Sequence, residues 1–252
     1  MKHCLRIPMV ALVLAACVSA AEAAAASPAA PLTPPPPQPK WETVATAGLT
    51  LTKGNSDTLL ANFGVNSARK WKQNEVALGS SFSYGENAGR KNVDSLSGFG
   101  QYNRLVSDKF YGGFKLNAAK DAIADLAYRV SLSPLAGYYL IKEAKTHLSL
   151  ELGPSYVIER LGGVSKSYAG LRAGERLEHK FNDRAKMWQA ADITTQVDRF
   201  SKYLITFELG VDSAITSQIS LRAVLQDNYD SIPATARKMN DIRLVTGIAY
   251  KF

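Results

Sequence analysis

The chain has 252 residues, enough for one large domain or two small ones, and no apolar run of about eighteen residues, which excludes a helical membrane protein. Its 30 Lys and Arg residues against 22 Asp and Glu give a net charge of +8. The cations are scattered singly beside acidic neighbours, without a basic run or basic helix, so nucleic acid is not an expected partner.

Residues 1–23 read as an export signal. Lys2 and Arg6 supply a positive start, the stretch from Ile7 to Ala16 a short apolar core, and Ala21-Glu22-Ala23 a small-x-small cleavage site. Leu14-Ala15-Ala16-Cys17 also resembles the lipobox of bacterial lipoproteins, which gives a second reading in which Cys17 is acylated and becomes the mature N-terminus. Ordinary cleavage is the reading adopted, because a closed set of strands holds itself in a bilayer without an acyl anchor. Cys4 and Cys17 are the two cysteines, so residues 18–252 hold no disulfide and no thiol centre. Residues 24–40 are rich in Ala and Pro, with Pro34, Pro35, Pro36 and Pro37 in a row and no periodic apolar face. They read as an extended linker.

From Trp41 onward the pattern changes to alternating segments separated by turn residues, the two-residue period of strands. The first pair covers 43–53 and 58–71, joined by Gly54, Asn55, Ser56 and Asp57, a tight-turn composition. Segments follow at 75–86, 93–106, 110–120, 128–141, 147–159, 167–178, 186–198, 203–214 and 218–229. In 75–86 Val76, Leu78, Phe82 and Tyr84 oppose Ala77, Gly79, Ser81 and Ser83. In 128–141 the apolar set is Tyr128, Val130, Leu132, Pro134, Ala136, Tyr138 and Leu140. In 147–159 Leu148, Leu150, Leu152, Tyr156 and Ile158 oppose Ser149, Glu151, Gly153 and Ser155. The segment 186–198 is ambiguous in phase, and Met187, Ala191, Ile193 and Val197 are taken as its apolar side.

The last segment, 241–252, puts Ile242, Leu244, Thr246, Ile248, Tyr250 and Phe252 on one face and Arg243, Val245, Gly247, Ala249 and Lys251 on the other. Tyr250 two residues before a terminal Phe252 looks like the closing strand of a bacterial outer-membrane barrel. The resemblance implies an insertion signal at Tyr250 and Phe252, and the barrel-assembly machinery as a partner.

Twelve segments make an even number, as an antiparallel up-and-down barrel with both termini in the periplasm requires. The expected architecture for 41–252 is therefore an all-β transmembrane barrel in the outer membrane, with lipid as its surrounding partner. The longest connector, 230–240, falls on the outer side, and none is long enough for a plug. Aromatic residues gather towards two rims: Tyr84, Tyr128, Tyr156, Tyr203 and Tyr229 at one, Trp71, Phe110, Tyr138, Trp188, Tyr250 and Phe252 at the other, the double girdle of an interfacial belt. The opposite face carries Lys115, Glu151, Arg172, Arg176, Glu208, Asp212, Arg222 and Arg243, which would line a wet lumen and pair across strands. Turned inside out, the same alternation would describe a soluble, lipocalin-like periplasmic binding barrel.

Trp41, Gly48 and Thr52-Lys53-Gly54-Asn55-Ser56-Asp57-Thr58 resemble the opening of a Gram-negative family of domain-of-unknown-function proteins, the YdiY-like salt-induced outer-membrane proteins. Its members open with a Trp, a Gly-rich first strand and a Gly-Asn-Ser/Thr-Asp/Glu turn, and close on a terminal Phe. The resemblance spans 41–252. It implies an outer-membrane location and a link to salt or acid stress, and it brings no catalytic residues.

The residues themselves do not favour an enzyme. A barrel phospholipase needs a His-Ser pair near the outer leaflet, whereas His147 and His179 map to the periplasmic side and no Gly-x-Ser-x-Gly elbow occurs. Glu208 and Asp212, at i and i+4 on a strand, would stand about 13 Å apart, better placed to pair with Arg222 or Arg172 than to act together. Two separated histidines form no metal cluster, and no cofactor is expected. What remains is a structural barrel or a small pore, weakly favouring anions through Lys115, Arg172, Arg176, Arg222 and Arg243; an outer-membrane hydrolase is the remoter alternative.

Overall fold

The structure, a computed structural model, describes residues 40–52 and 58–252. The export signal, Cys17, the linker up to residue 39 and the turn residues Gly54, Asn55, Ser56 and Asp57 lie outside the described residues. Among those described, alternation builds twelve strands: β1 (Glu42–Thr52), β2 (Thr58–Trp71), β3 (Asn74–Asn87), β4 (Arg90–Leu105), β5 (Phe110–Asp121), β6 (Leu126–Lys142), β7 (Thr146–Leu161), β8 (Val164–Lys180), β9 (Ala185–Gln196), β10 (Tyr203–Ala214), β11 (Ile219–Asp230) and β12 (Asn240–Lys251). Each pairs antiparallel with its neighbours in sequence, and β1 pairs with β12 to close the barrel. Closure gives every strand a neighbour on both sides, the arrangement that lets a sheet stand in a bilayer.

The period-two pattern sorts the side chains inside out relative to a soluble protein. Leu152 is 55% exposed on the outer face, whereas Ser133 on the inner face is fully buried. Leu78, Phe114, Leu132, Tyr156, Val211, Leu221 and Ile248 share the exposed face, while Ser155, Glu159, Arg172 and Asp212 are buried inside. A soluble lipocalin-like barrel would need the reverse, with the Leu, Ile and Phe set enclosed. Segment 186–198 also takes the expected phase, with Ile193 outward and exposed.

Three details differ from the sequence reading. Trp188 is not part of the aromatic girdle: in β9 it alternates with Met187 and lies in the lumen, its indole N–H donating to Glu208 at 2.6 Å. The ring fits there because Gly210, opposite it on β10, has no Cβ to collide with it. Second, two outer connectors shrink to two-residue hairpins. Ala88 and Gly89 have φ of 49° and 71°, Gly162 and Gly163 of 57° and 76°, the left-handed pair of a type I′ turn. The polar residues flanking them, such as Lys91 and Lys166, are strand ends that pair above the apolar band. Strands β7 and β8, joined by the second of these hairpins, therefore reach 16 and 17 residues, well beyond the 9–11 that cross a bilayer. Third, Glu175 and Gln189 fall on the outward face, where the Gln189 amide donates to Glu175 at 3.3 Å. They lie in register with Leu150 and Leu177, near the rim marked by Phe110 and Tyr138.

Two seams in the wall are thinner than the rest. The closing pair holds the register Val44↔Lys251 to Ala47↔Ile248, at the end where the chain terminates. Between β6 and β7 the ladder stops at Leu132↔Tyr156 and resumes at Ala136↔Leu152. In that register Pro134 and Pro154 stand opposite each other, both without an N–H.

Candidate functional site: the barrel interior

The inward face gathers the charges into three groups. At mid-barrel, Arg172 on β8 reaches Glu151 on β7 at 2.9 Å and also contacts Asp192 on β9. Lys115 on β5 bonds Asp192 at 2.9 Å, and Glu151 accepts from Gln101 on β4 at 2.5 Å and from the Tyr111 hydroxyl at 3.0 Å. Strands β5 and β9, or β4 and β7, are not neighbours, so these bonds cross the interior instead of running along the wall. The Arg172 side chain is only 4% exposed, and its Nε and Nη1 find no partner among the described residues.

The second group lies on β9 to β11. Arg222 grips Asp212 with two bonds of 2.7 Å, donates to Thr46 on β1 at 3.1 Å and stacks its guanidinium 5.0 Å from the centre of the Trp188 ring. A bidentate pair of this kind fixes the planar guanidinium in one orientation. Glu208 is held by Trp188 and by Gln226 at 3.1 Å, and not by an arginine. The first half of the expected pairing, Asp212 with Arg222, is present, and the second, Glu208 with a cation, is replaced by neutral donors.

The third group spans the mouth opposite the end where β1 begins and β12 finishes. Arg129 on β6 contacts the buried Glu159 on β7 and bonds Asp230 on β11 at 2.6 Å. Lys166 adds a bond to Glu159 at 2.8 Å. Arg243 on β12 donates to Ser95 on β4 at 2.5 Å and pairs with Asp121 on β5 at 3.3 Å, crossing the mouth in another direction. Asp230 also accepts the backbone N–H of Ile232 at 2.8 Å, folding the longest loop, 231–239, inward. Its buried Ala234 lies over Gly162, so the loop reaches from β11 to the β7–β8 hairpin. Arg129, Glu159, Asp230 and Asp192 were not singled out in the sequence. Their inward phase was readable, but which carboxylate meets which cation depends on the barrel's cross-section.

At the end where β1 begins and β12 finishes, the interior changes character. Tyr111, Leu135 and Tyr139 form a buried apolar cluster with Leu105 against it, and the Tyr139 hydroxyl donates to Glu75 on β3 at 2.6 Å. Arg176 pairs with Glu178 at 2.8 Å, both half exposed. His179 shares a 2.9 Å hydrogen bond with Thr146 and sits edge-on to Phe181, while His147 lies one strand away at the β7 start. Among the described residues no three His, Cys, Asp or Glu side chains converge as a metal site.

The family model described as "Protein of unknown function, DUF481" matches residues 45–252. The chain belongs to that family. No curated protein sequence matches it. Solved structures share the fold of this family member at low identity. A NanC porin aligns at 7% identity with a TM-score of 0.52, over 84% of this chain and 100% of that one. A KdgM porin gives 9% and 0.46, over 84% and 99%. The translocator domain of the autotransporter NalP from Neisseria meningitidis gives 17% and 0.45, over 84% and 87%. The fold is thus that of the outer-membrane β-barrels, reached here with a twelve-stranded wall.

Proposed function

We propose that this family member is exported and inserted in the outer membrane, termini on the periplasmic side, as a cross-braced barrel that conducts little at rest. Its insertion would run through the assembly machinery by way of Tyr250 and Phe252, whose rings stand edge-to-face at 4.9 Å beside the closing seam. The observation that carries the reading is the set of bonds joining non-adjacent strands: Lys115–Asp192, Gln101–Glu151, Arg129–Asp230 and Arg243–Asp121. Each ties together strands that do not touch in the wall and occupies space a solute would need. The envelope-stress role implied by the family resemblance belongs with this reading, and no catalytic role is assigned.

The lumen cations named from the sequence each face a carboxylate, so little net positive charge is left to select anions at rest. The small anion-favouring pore remains the second reading. It is favoured by the two unpartnered donors of Arg172. Planar-bilayer recording on the purified protein separates the two. The braced barrel gives rare, small openings, and Asp192→Asn with Asp212→Asn, which frees cations, raises the current and tilts it towards anions. A large steady wild-type current would overturn the braced reading.

A further inference from the structure

The Tyr139 N–H donates to Lys109 on the β5 side, so in this part of β6 the even-numbered residues direct their N–H and C=O groups to β7. By the same alternation Gly162, donating to Asp125 just ahead of β6, makes the even residues of β7 face β6. Pro134 and Pro154 are thus partners in a rung that should carry two hydrogen bonds and has neither donor. Both prolines sit near the middle of their strands, and on the lipid side of the wall water cannot replace the lost bonds.

Two further features adjoin this rung. On the lipid side a groove of about 390 Å³ begins at Ala136 and Leu152, two residues from the prolines, and runs towards the periplasmic rim, floored by Ala136 and Ala173 and walled by Phe110, Tyr138, Leu150 and Leu152. On the lumen side lies the apolar cluster of Tyr111, Leu135 and Tyr139. Leu135 follows Pro134 directly. The Tyr111 ring lies over Gly137 of β6, where any Cβ would overlap it, and its hydroxyl reaches Glu151 of β7. The ring therefore covers the β6–β7 seam from inside, three residues below the proline rung.

We propose that the β6–β7 seam is a lateral portal for an acyl chain of a periplasmic-leaflet phospholipid, which lies in the outer groove and passes the proline rung to the Tyr111–Leu135–Tyr139 cluster, with Tyr111 as the inner cover. This rests on the membrane-barrel reading above. Groove and cluster lie on opposite faces of the same stretch of wall, Ala136 to Tyr139 paired with Ser149 to Leu152, and the rung that lacks its bonds lies directly above that stretch. The polar remainder of the lumen would not accept such a chain.

The test uses protein reconstituted in phosphatidylethanolamine vesicles carrying a phospholipid with a diazirine near one acyl terminus. After illumination, mass spectrometry locates the label. Leu135, Tyr111 and Tyr139 should be labelled along with the outward Tyr138, Leu150 and Leu152. Ser133 and Ser155, whose hydroxyls lie 2.9 Å apart on the lumen side of the seam, give the lock. In S133C/S155C the oxidised form should lose the inner label and keep the outer one, and reduction should restore it. P134V/P154V, which returns both donors, should show the same loss without a disulfide. Inner label absent from the wild type, or unchanged in the oxidised lock and in P134V/P154V, overturns the portal. Loss of the outer label as well overturns the membrane reading and the portal with it.

Discussion

The closing seam and the proline seam are both thin, in opposite ways. Where β1 meets β12 the register is short but unbroken, Val44 to Ala47 against Ile248 to Lys251, and just beyond it a Cβ on Gly48 would run into the Thr246 carbonyl oxygen and one on Gly247 into that of Ala47. Where β6 meets β7 the strands are among the longest in the barrel, yet the ladder breaks at its centre. The first seam joins the ends of the domain and tolerates no bulk, because everything else depends on its closing. The second is held on both sides of the gap by long paired arms, so it can lose a rung without losing the barrel. Position in the circuit thus decides what an unmade hydrogen bond costs.

That contrast can be broken at the first seam. Gly48→Val with Gly247→Val should prevent closure, leaving a chain that migrates identically boiled and unboiled; a folded, heat-modifiable band would show that the close approach is not required. Less drastic is Asp212→Ala, which leaves Arg222, 10% exposed, beside Trp188 without its carboxylate. Removing one partner of a buried pair costs about 3 kcal/mol, read as a lower urea midpoint in detergent micelles. An unchanged midpoint would mean that the pair is dispensable bracing. At the second seam P134V/P154V should raise stability by about 1 kcal/mol, two restored hydrogen bonds less the chain entropy that the prolines remove from the unfolded state. A fall in stability would show that the prolines suit a backbone no other residue adopts. The smallest effect belongs to Lys91→Ala, whose 2.8 Å pair with Asp94 stands in solvent at the outer rim and should leave the midpoint where it was.

Much of the wall was legible because a barrel in lipid writes its two environments into alternate residues. Leu148, Leu150 and Leu152 against Ser149, Glu151 and Gly153 states the phase without any fold knowledge. Trp188 was misplaced because aromatic residues near strand ends suggest a girdle, while its own phase, set by Met187 and Ile193, pointed inward. The two-residue hairpins were hidden by Lys91, Ser165 and Lys166, polar residues that read as loop but pair as strand above the apolar band. The cross-lumen bonds could not be read, since Lys115 and Asp192 are 77 positions apart and meet only once twelve strands fix the width of the interior. Pro134 and Pro154 were visible singly. Their opposition depends on the register of one hairpin.

The central claim, that the apolar half of every strand faces acyl chains, is most directly tested on β7. Spin labels placed one at a time from 148 to 158 in vesicle-reconstituted protein report collisions with lipid-soluble oxygen and with a water-soluble nickel chelate. Labels at Leu148, Leu150, Leu152, Tyr156 and Ile158 should collide with oxygen, and those at Ser149, Glu151, Ser155 and Val157 should be shielded from it. Oxygen collisions that peak at the second set, or show no two-residue rhythm, would contradict the account.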